Sequence, residues 1–233
     1  MSVLFYGDPH GRYQNLINAV DKYSPDAVVV LGDFMLDKPL EQQVATILDK
    51  TEFWFIHGNH DTDQDIFYHS LFKSELAHRN LHGRVETIGG LRIAGLGGVF
   101  RGKVWHPNLS DGKPKWRSKE EFMRAQPRVT QRMAAAQYDG LLLQHHSTIW
   151  WEDYERLWDK QADILVTHEA PSSHNYGFTE IDDLAFALKA NRVFHGHHHV
   201  NYSAEIKRDV ETVLVDGVGL ACCKDEMGTL LCS

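Results

Sequence analysis

The sequence predicts an α/β protein built on a largely parallel sheet. Short β-branched or aromatic runs alternate with stretches of helical length over the first sixty residues, the pattern of βαβ units. Most of those runs end in a cluster of Asp, His, Gly or Asn, where open α/β sheets hold their ligands. Hydrophobic residues make up 42% and charged residues 24%, which excludes a disordered, collagenous or coiled-coil chain.

Val3–Tyr6 reads as a buried strand and Arg12–Lys22 as the helix after it. Ala27–Leu31 and Phe53–His57 are the next strands, with a helix over Leu40–Lys50 between them. Leu91–Ala94, Ile164–Thr167 and Arg192–His195 read as further buried strands. Ile181–Lys189 reads as a helix, with Thr179 and Asp182 resembling a capping box one residue out of the usual spacing. Tyr202–Ile206, Thr212–Val215 and Thr229–Cys232 read as late, antiparallel strands. At 233 residues the chain fits one domain over 1–233 and needs neither disulfide nor structural metal to build a core. A Trp-rich, partly basic insertion occupies about 97–161, where Ser147 is the expected cap of a helix running through Trp158.

Three cysteines without zinc-finger spacing imply no disulfide framework and a reducing compartment. No apolar run approaches a membrane span, and the short Val3-Leu4-Phe5-Tyr6 opening lacks the basic leader of a signal peptide. A cytoplasmic protein without membrane partners is expected. The net charge of −8 disfavours a general nucleic-acid coat.

The strand ends carry the chemistry. They are followed in turn by Asp8-Pro9-His10-Gly11, Gly32-Asp33, Gly58-Asn59-His60-Asp61, His168 and Gly196-His197-His198-His199. If one sheet edge gathers them, Asp8, His10, Asp33, Asn59, His168, His197 and His199 offer carboxylate, imidazole and amide donors but no thiolate. That mixture suits manganese, iron, zinc, cobalt or nickel better than calcium, and makes magnesium less favoured. Seven donors are too many for one open catalytic ion and suit two sharing a bridge, for which Asp33 is the natural group. Two divalent ions, two aspartates and a hydroxide leave roughly +1 locally, which outweighs distant surface charge screened beyond about 8 Å. Such a centre attracts anions, and paired ions suit in-line phosphoryl displacement.

These five blocks, in this order, resemble the calcineurin-like metallophosphoesterase superfamily, whose pattern is D-x-H, G-D, G-N-H-[DE], a lone H and G-H-x-H. The resemblance implies a four-layer α/β/β/α sandwich of two mixed sheets. It implies one metal, manganese above all, on Asp8, His10, Asp33 and His199, and a second on Asp33, Asn59, His168 and His197. It implies that Asn59 and His60 face the phosphate, and that His60 protonates the leaving oxygen. Family phosphatases support that histidine with an aspartate three residues after the Gly-Asp pair. Leu36 stands there in this chain, so Asp37, Asp61 or no group takes the role. His198, between two ligands, is expected to point away by the alternation of an extended segment.

Arg101, His146 and His174 are candidate substrate contacts. Residues 101–119 hold six basic groups against Asp111, interleaved with Trp105 and Trp116, which would suit single-stranded nucleic acid if the indoles were exposed. The expected function is metal-dependent hydrolysis of phosphomonoesters or phosphodiesters. Alternatives are a protein serine/threonine phosphatase, a single-strand nuclease and a non-catalytic scaffold. The scaffold would be expected to lose a ligand or the histidine of Gly-Asn-His, and none is lost.

Overall fold

A computed structural model describes residues 2–232. In chain order the elements are β1 (Val3–Tyr6), α1 (Gln14–Tyr23), β2 (Ala27–Val30), α2 (Leu40–Gln43), β3 (Glu52–Phe55) and α3 (Asp65–Phe72). The hairpin β4 (Arg84–Ile88) and β5 (Leu91–Leu96) follows, then α4 (Lys119–Arg124), α5 (Arg128–Gln137) and α6 (Trp151–Trp158). The chain continues with β6 (Ile164–Thr167), α7 (Thr179–Ala187), β7 (Arg192–His195), β8 (Tyr202–Arg208), β9 (Glu211–Gly217), β10 (Cys223–Asp225) and β11 (Leu230–Cys232). Among the described residues no helix is long and apolar enough to cross a membrane.

The strands form two mixed sheets, ordered β11-β10-β1-β2-β3 and β4-β5-β6-β7-β9-β8. The inner strands of each run parallel, and antiparallel strands close the second sheet on both sides and the first on one. The period-2 alternation of β1 explains the layering. Val3 and Phe5 face the second sheet in a core shared with Ile93, Val166 and Phe194, and the Phe5 and Phe194 rings stack at 3.9 Å. Leu4 and Tyr6 face the other way, onto Leu16 and Val20 of α1. Helices α6 and α7 cover the outer face of the second sheet. The result is the α/β/β/α sandwich.

Several expectations need correction. The helix expected over Leu40–Lys50 stops at Gln43, and Val44–Thr51 continues in tight turns closed by bonds such as Ile47 N–H to Val44 O. Its β-branched residues disfavour a regular helix. Ser147 does not cap α6: it ends a 3₁₀ turn, Leu143–Ser147, and Trp150 holds the cap position. The Thr179/Asp182 box does not form, because Asp182 turns to the N–H and hydroxyl of Ser172. One disulfide is present where no framework was expected. Antiparallel register sets Cys223 opposite Cys232, and the two are joined, which removes the basis for inferring a reducing compartment from the cysteines.

The segment 97–161 is pinned to the sandwich by a buried ion cluster. Asp153 of α6 receives His82 Nε2 at 3.0 Å and Lys119 Nζ at 2.8 Å. Burial opposes ionisation of Asp153, but His82 and Lys119 outweigh it and hold the carboxyl well below the usual range. A depressed acid stabilises the fold above its unfolded value, near 3.9, and loses that contribution as pH falls through its folded value. Asp153→Asn should lower stability at pH 7 by about 3 kcal/mol, the lower end for breaking a buried pair because Lys119 keeps contact with water. In thermal melts that is a fall of roughly 6–12 °C, and the gap to wild type should narrow below pH 4. Equal melting temperatures at pH 7 would remove the cluster from the account of stability.

Candidate metal centre

The carboxyl ends of β1, β2, β3, β6 and β7 lead into the five polar clusters, and the two sheets bring them together. Asp8 and Asp33 are buried at the floor with His168. One group joins His10, Asp33 and His199, and a second joins Asp33, His168 and His197, with one donor atom of each residue within 4.8 Å of the others. Asp33 is common to both. His10 Nε2 lies 3.1 Å from His199 Nε2 and 3.6 Å from Asp33 Oδ2. Asn59 Oδ1 is 3.0 Å from His168 Nε2, so Asn59 adjoins the second group. Asp8 Oδ1 is 3.7 Å from His168 Nδ1.

The backbone makes this convergence. Asp8, His10, Asp33, His197 and His199 all have positive φ, between 34° and 69°. Asp and His tolerate that region better than most residues, yet it costs free energy that the surrounding fold must offset. Gly58 is required for a different reason: a Cβ there would lie 2.6 Å from Asp33 N and from His168 Cε1. Asp61, buried, accepts the N–H groups of Phe34 at 2.7 Å, Gly58 at 2.8 Å and Asp33 at 3.1 Å, locking two of the loops together.

The electrostatics fit divalent cations. Both carboxylate oxygens of Asp8 and Oδ2 of Asp33 are buried without a well-formed hydrogen bond. Burial pushes the Asp8 carboxyl up to about 7. Burial also opposes ionisation of Asp33, but His168 and the His60 N–H hold it low. For His168 burial disfavours the cation, yet Asp33 and Asp8 draw the imidazole upward. Burial keeps His10, His197 and His199 neutral-leaning, with pKa values below the ordinary imidazole value. Unsatisfied buried carboxylates beside neutral imidazoles gain by accepting a cation, whose charge replaces the water they lack. His168 Nδ1 donates to Leu31 O at 2.8 Å, which turns Nε2 toward Asn59 and Asp33.

That fold agrees with the comparisons. Residues 1–201 match the profile described as Calcineurin-like phosphoesterase. The chain belongs to this family. It is 36% identical over 229 residues to an uncharacterized protein of Haemophilus influenzae, covering 98% of this chain and 96% of that one. Its fold is similar to the crystal structure of TT1561 of Thermus thermophilus, with a TM-score of 0.59 at 15% identity, covering 100% of this chain and 97% of the other.

Around these donor groups the other candidates sort by position. His60 is half-exposed at the rim, and its Nδ1 meets Asp63 Oδ2 at 2.5 Å. The carboxylate in contact with the His60 ring is Asp63, not Asp37 or Asp61. The signal was present in the sequence: His60 and Asp63 are three apart on a 3₁₀ turn, where side chains at i and i+3 eclipse. Arg101 donates from Nη2 to Ser147 Oγ at 3.0 Å, and its nearest acidic influences are Asp63 and Glu169. His174 stacks on His198 at 3.9 Å and belongs to neither ligand group. His146 is not at the centre: its Nε2 donates to Tyr138 O at 2.7 Å and its ring packs on Tyr68. His198 does not follow extended alternation, because left-handed residues flank it; its Nε2 is buried without a hydrogen-bond partner. It also groups with Glu169 and His197, and burial pushes Glu169 up to about 7.

Proposed function

We propose that this phosphoesterase hydrolyses small phosphomonoesters or phosphodiesters at a dinuclear centre. Asp8, His10, Asp33 and His199 hold one divalent cation, and Asp33, Asn59, His168 and His197 hold the other. The carrying observation is the pair of donor groups that share Asp33 among unsatisfied buried carboxylate oxygens. Bound there, two cations supply positive charge for the phosphoryl oxygens and an activated water for in-line attack, with manganese preferred and iron, zinc, cobalt or nickel compatible with the donors.

The chain's own groups do the rest. Asp33 fixes the spacing of the two halves. The Leu31 carbonyl orients His168 through its Nδ1–H. Asn59 and His60 bind phosphoryl oxygen at the open side. The His60–Asp63 contact supports a donating role: the carboxylate accepts Nδ1–H, which fixes the ring with Nε2 toward the leaving oxygen. Arg101 adds a cation that suits a phosphate oxygen.

Protein substrates remain the second reading, since Asp63 provides the support that Leu36 lacks. The nuclease reading weakens. Of the two indoles in residues 101–119, Trp105 is buried and Trp116 half-buried on Phe122, and Arg117 and Lys119 are engaged by Glu155 and Asp153. The stacking platforms that single-stranded nucleic acid needs are thereby largely used up as core.

The test is a paired assay of protein stripped of metal and reloaded with Mn²⁺, on p-nitrophenyl phosphate and bis-p-nitrophenyl phosphate. One ester should dominate, and EDTA should lower its rate by roughly a hundredfold or more. No hydrolysis of either, with two metals bound per chain, would overturn the reading for these esters and favour a binding role.

A further inference from the structure

A second cavity, of about 590 Å³, opens where α6 meets α7 and the 111–114 segment. None of the proposed metal ligands lines it. Its walls include four aromatic side chains, Trp105, Trp151, Tyr154 and Trp158. Three come from α6 at positions i, i+3 and i+7, which places them on one helix face. Trp105 meets Trp151 and Tyr154 with ring centroids 5.2 Å apart in each case, and Tyr154 meets Trp158 at 5.5 Å. Trp105 and Tyr154 are buried beneath, whereas Trp151 is half-buried and Trp158 is 43% exposed, so these two indoles form the accessible aromatic wall.

The charge around these rings is one-sided. Asp111, Glu155, Asp159, Glu180 and Asp183 line the cavity against a single ammonium, Lys113. Arg117 engages Glu155 and Arg208 engages Asp183. Among the described residues no ion pair involves Asp111, Asp159 or Glu180.

Aromatic faces attract cations through their quadrupoles, most strongly those that shed water easily. A small inorganic cation needs oxygen ligands on all sides, which ring carbons cannot supply. A nucleotide could stack on the indoles, but its phosphates would face five carboxylates. An organic cation satisfies both walls and rim. The protein already uses one of these rings that way: the Arg117 guanidinium carbon lies 5.5 Å from the Trp151 centroid. We infer that this cavity, apart from the metal centre, binds a small molecule bearing an alkylated ammonium group. The volume lies within the range of small-molecule sites.

Choline is the minimal probe, and 3,3-dimethylbutan-1-ol is its uncharged carbon analogue. Both would be titrated into the ¹⁵N-labelled full chain at constant ionic strength, following the indole N–H signals of its six tryptophans. Choline should shift the Trp151 and Trp158 signals with saturation, and the uncharged analogue should bind roughly tenfold more weakly or worse. Trp158→Leu should weaken choline binding roughly tenfold. The other five indole signals report whether that variant is folded. Asp159→Asn provides a second variant that leaves every ring in place, and it should weaken choline but not the neutral analogue. The inference is overturned if the analogue binds as well as choline, if both variants bind choline normally, or if no shift saturates below about 100 mM, an affinity too weak to be specific.

Discussion

Asp33→Asn is expected to bring the loaded protein from two metal ions per chain to one or fewer, and to lower turnover roughly a thousandfold. Asp33 belongs to both donor groups, so one substitution weakens both. Bound metal supplies several kcal/mol of transition-state stabilisation, and each 1.36 kcal/mol is tenfold in rate. The amide keeps the shape of the side chain and can still accept the His60 N–H that Asp33 Oδ1 accepts at 2.9 Å. The fold should therefore survive, although His168 loses its buried partner and the melting temperature should fall. Metal content by elemental analysis, turnover and the melting curve read the three effects separately. Unchanged metal content together with unchanged turnover would refute the shared-ligand assignment.

His60→Ala is expected to keep both metals and to slow hydrolysis by roughly 10²–10⁴, the range for loss of a positioned proton donor. The loss should be largest for an alkyl phosphate, whose leaving oxygen needs the proton, and smallest for a p-nitrophenyl ester. Asp63→Asn should act through His60 and cost about tenfold, near 1.5 kcal/mol for one hydrogen bond to a charged group. Its loss should show the same leaving-group dependence, which mere loosening of the rim would not produce. Equal losses on good and poor leaving groups would contradict the acid role and leave His60 as a phosphate-binding group.

Much of the frame was legible because it is local. Val3–Tyr6, Ile164–Thr167 and Arg192–His195 have the strand bounds that their apolar runs suggest. The strand expected at Leu91–Ala94 falls within β5, but its partner β4 was missed although Gly89-Gly90 is a two-residue turn signal, both glycines having positive φ. Helices α3, α4 and α5 were missed because their apolar periodicity is weak and much of their surface faces water. The basic, tryptophan-bearing stretch was open to two readings. Packing chose between them by burying Trp105 against Phe100 and Tyr154.

By itself, the sequence determined the α/β class, the ordered Asp, Asn and His blocks and the polar ends of the strands, since strand propensity and donor chemistry belong to neighbouring residues. Only the tertiary structure decided how those blocks meet. It split the strands into two sheets and bent Asp8, His10, Asp33, His197 and His199 into left-handed conformations. It turned Asp63 rather than Asp61 toward His60, because Asp61 is taken by three backbone N–H groups of the adjoining loops. It also joined Cys223 to Cys232 and closed an aromatic, acidic cavity from α6, α7 and the 111–114 segment. Each of these is a contact between distant segments, and its free energy depends on burial and on competing partners that exist only once the chain has folded.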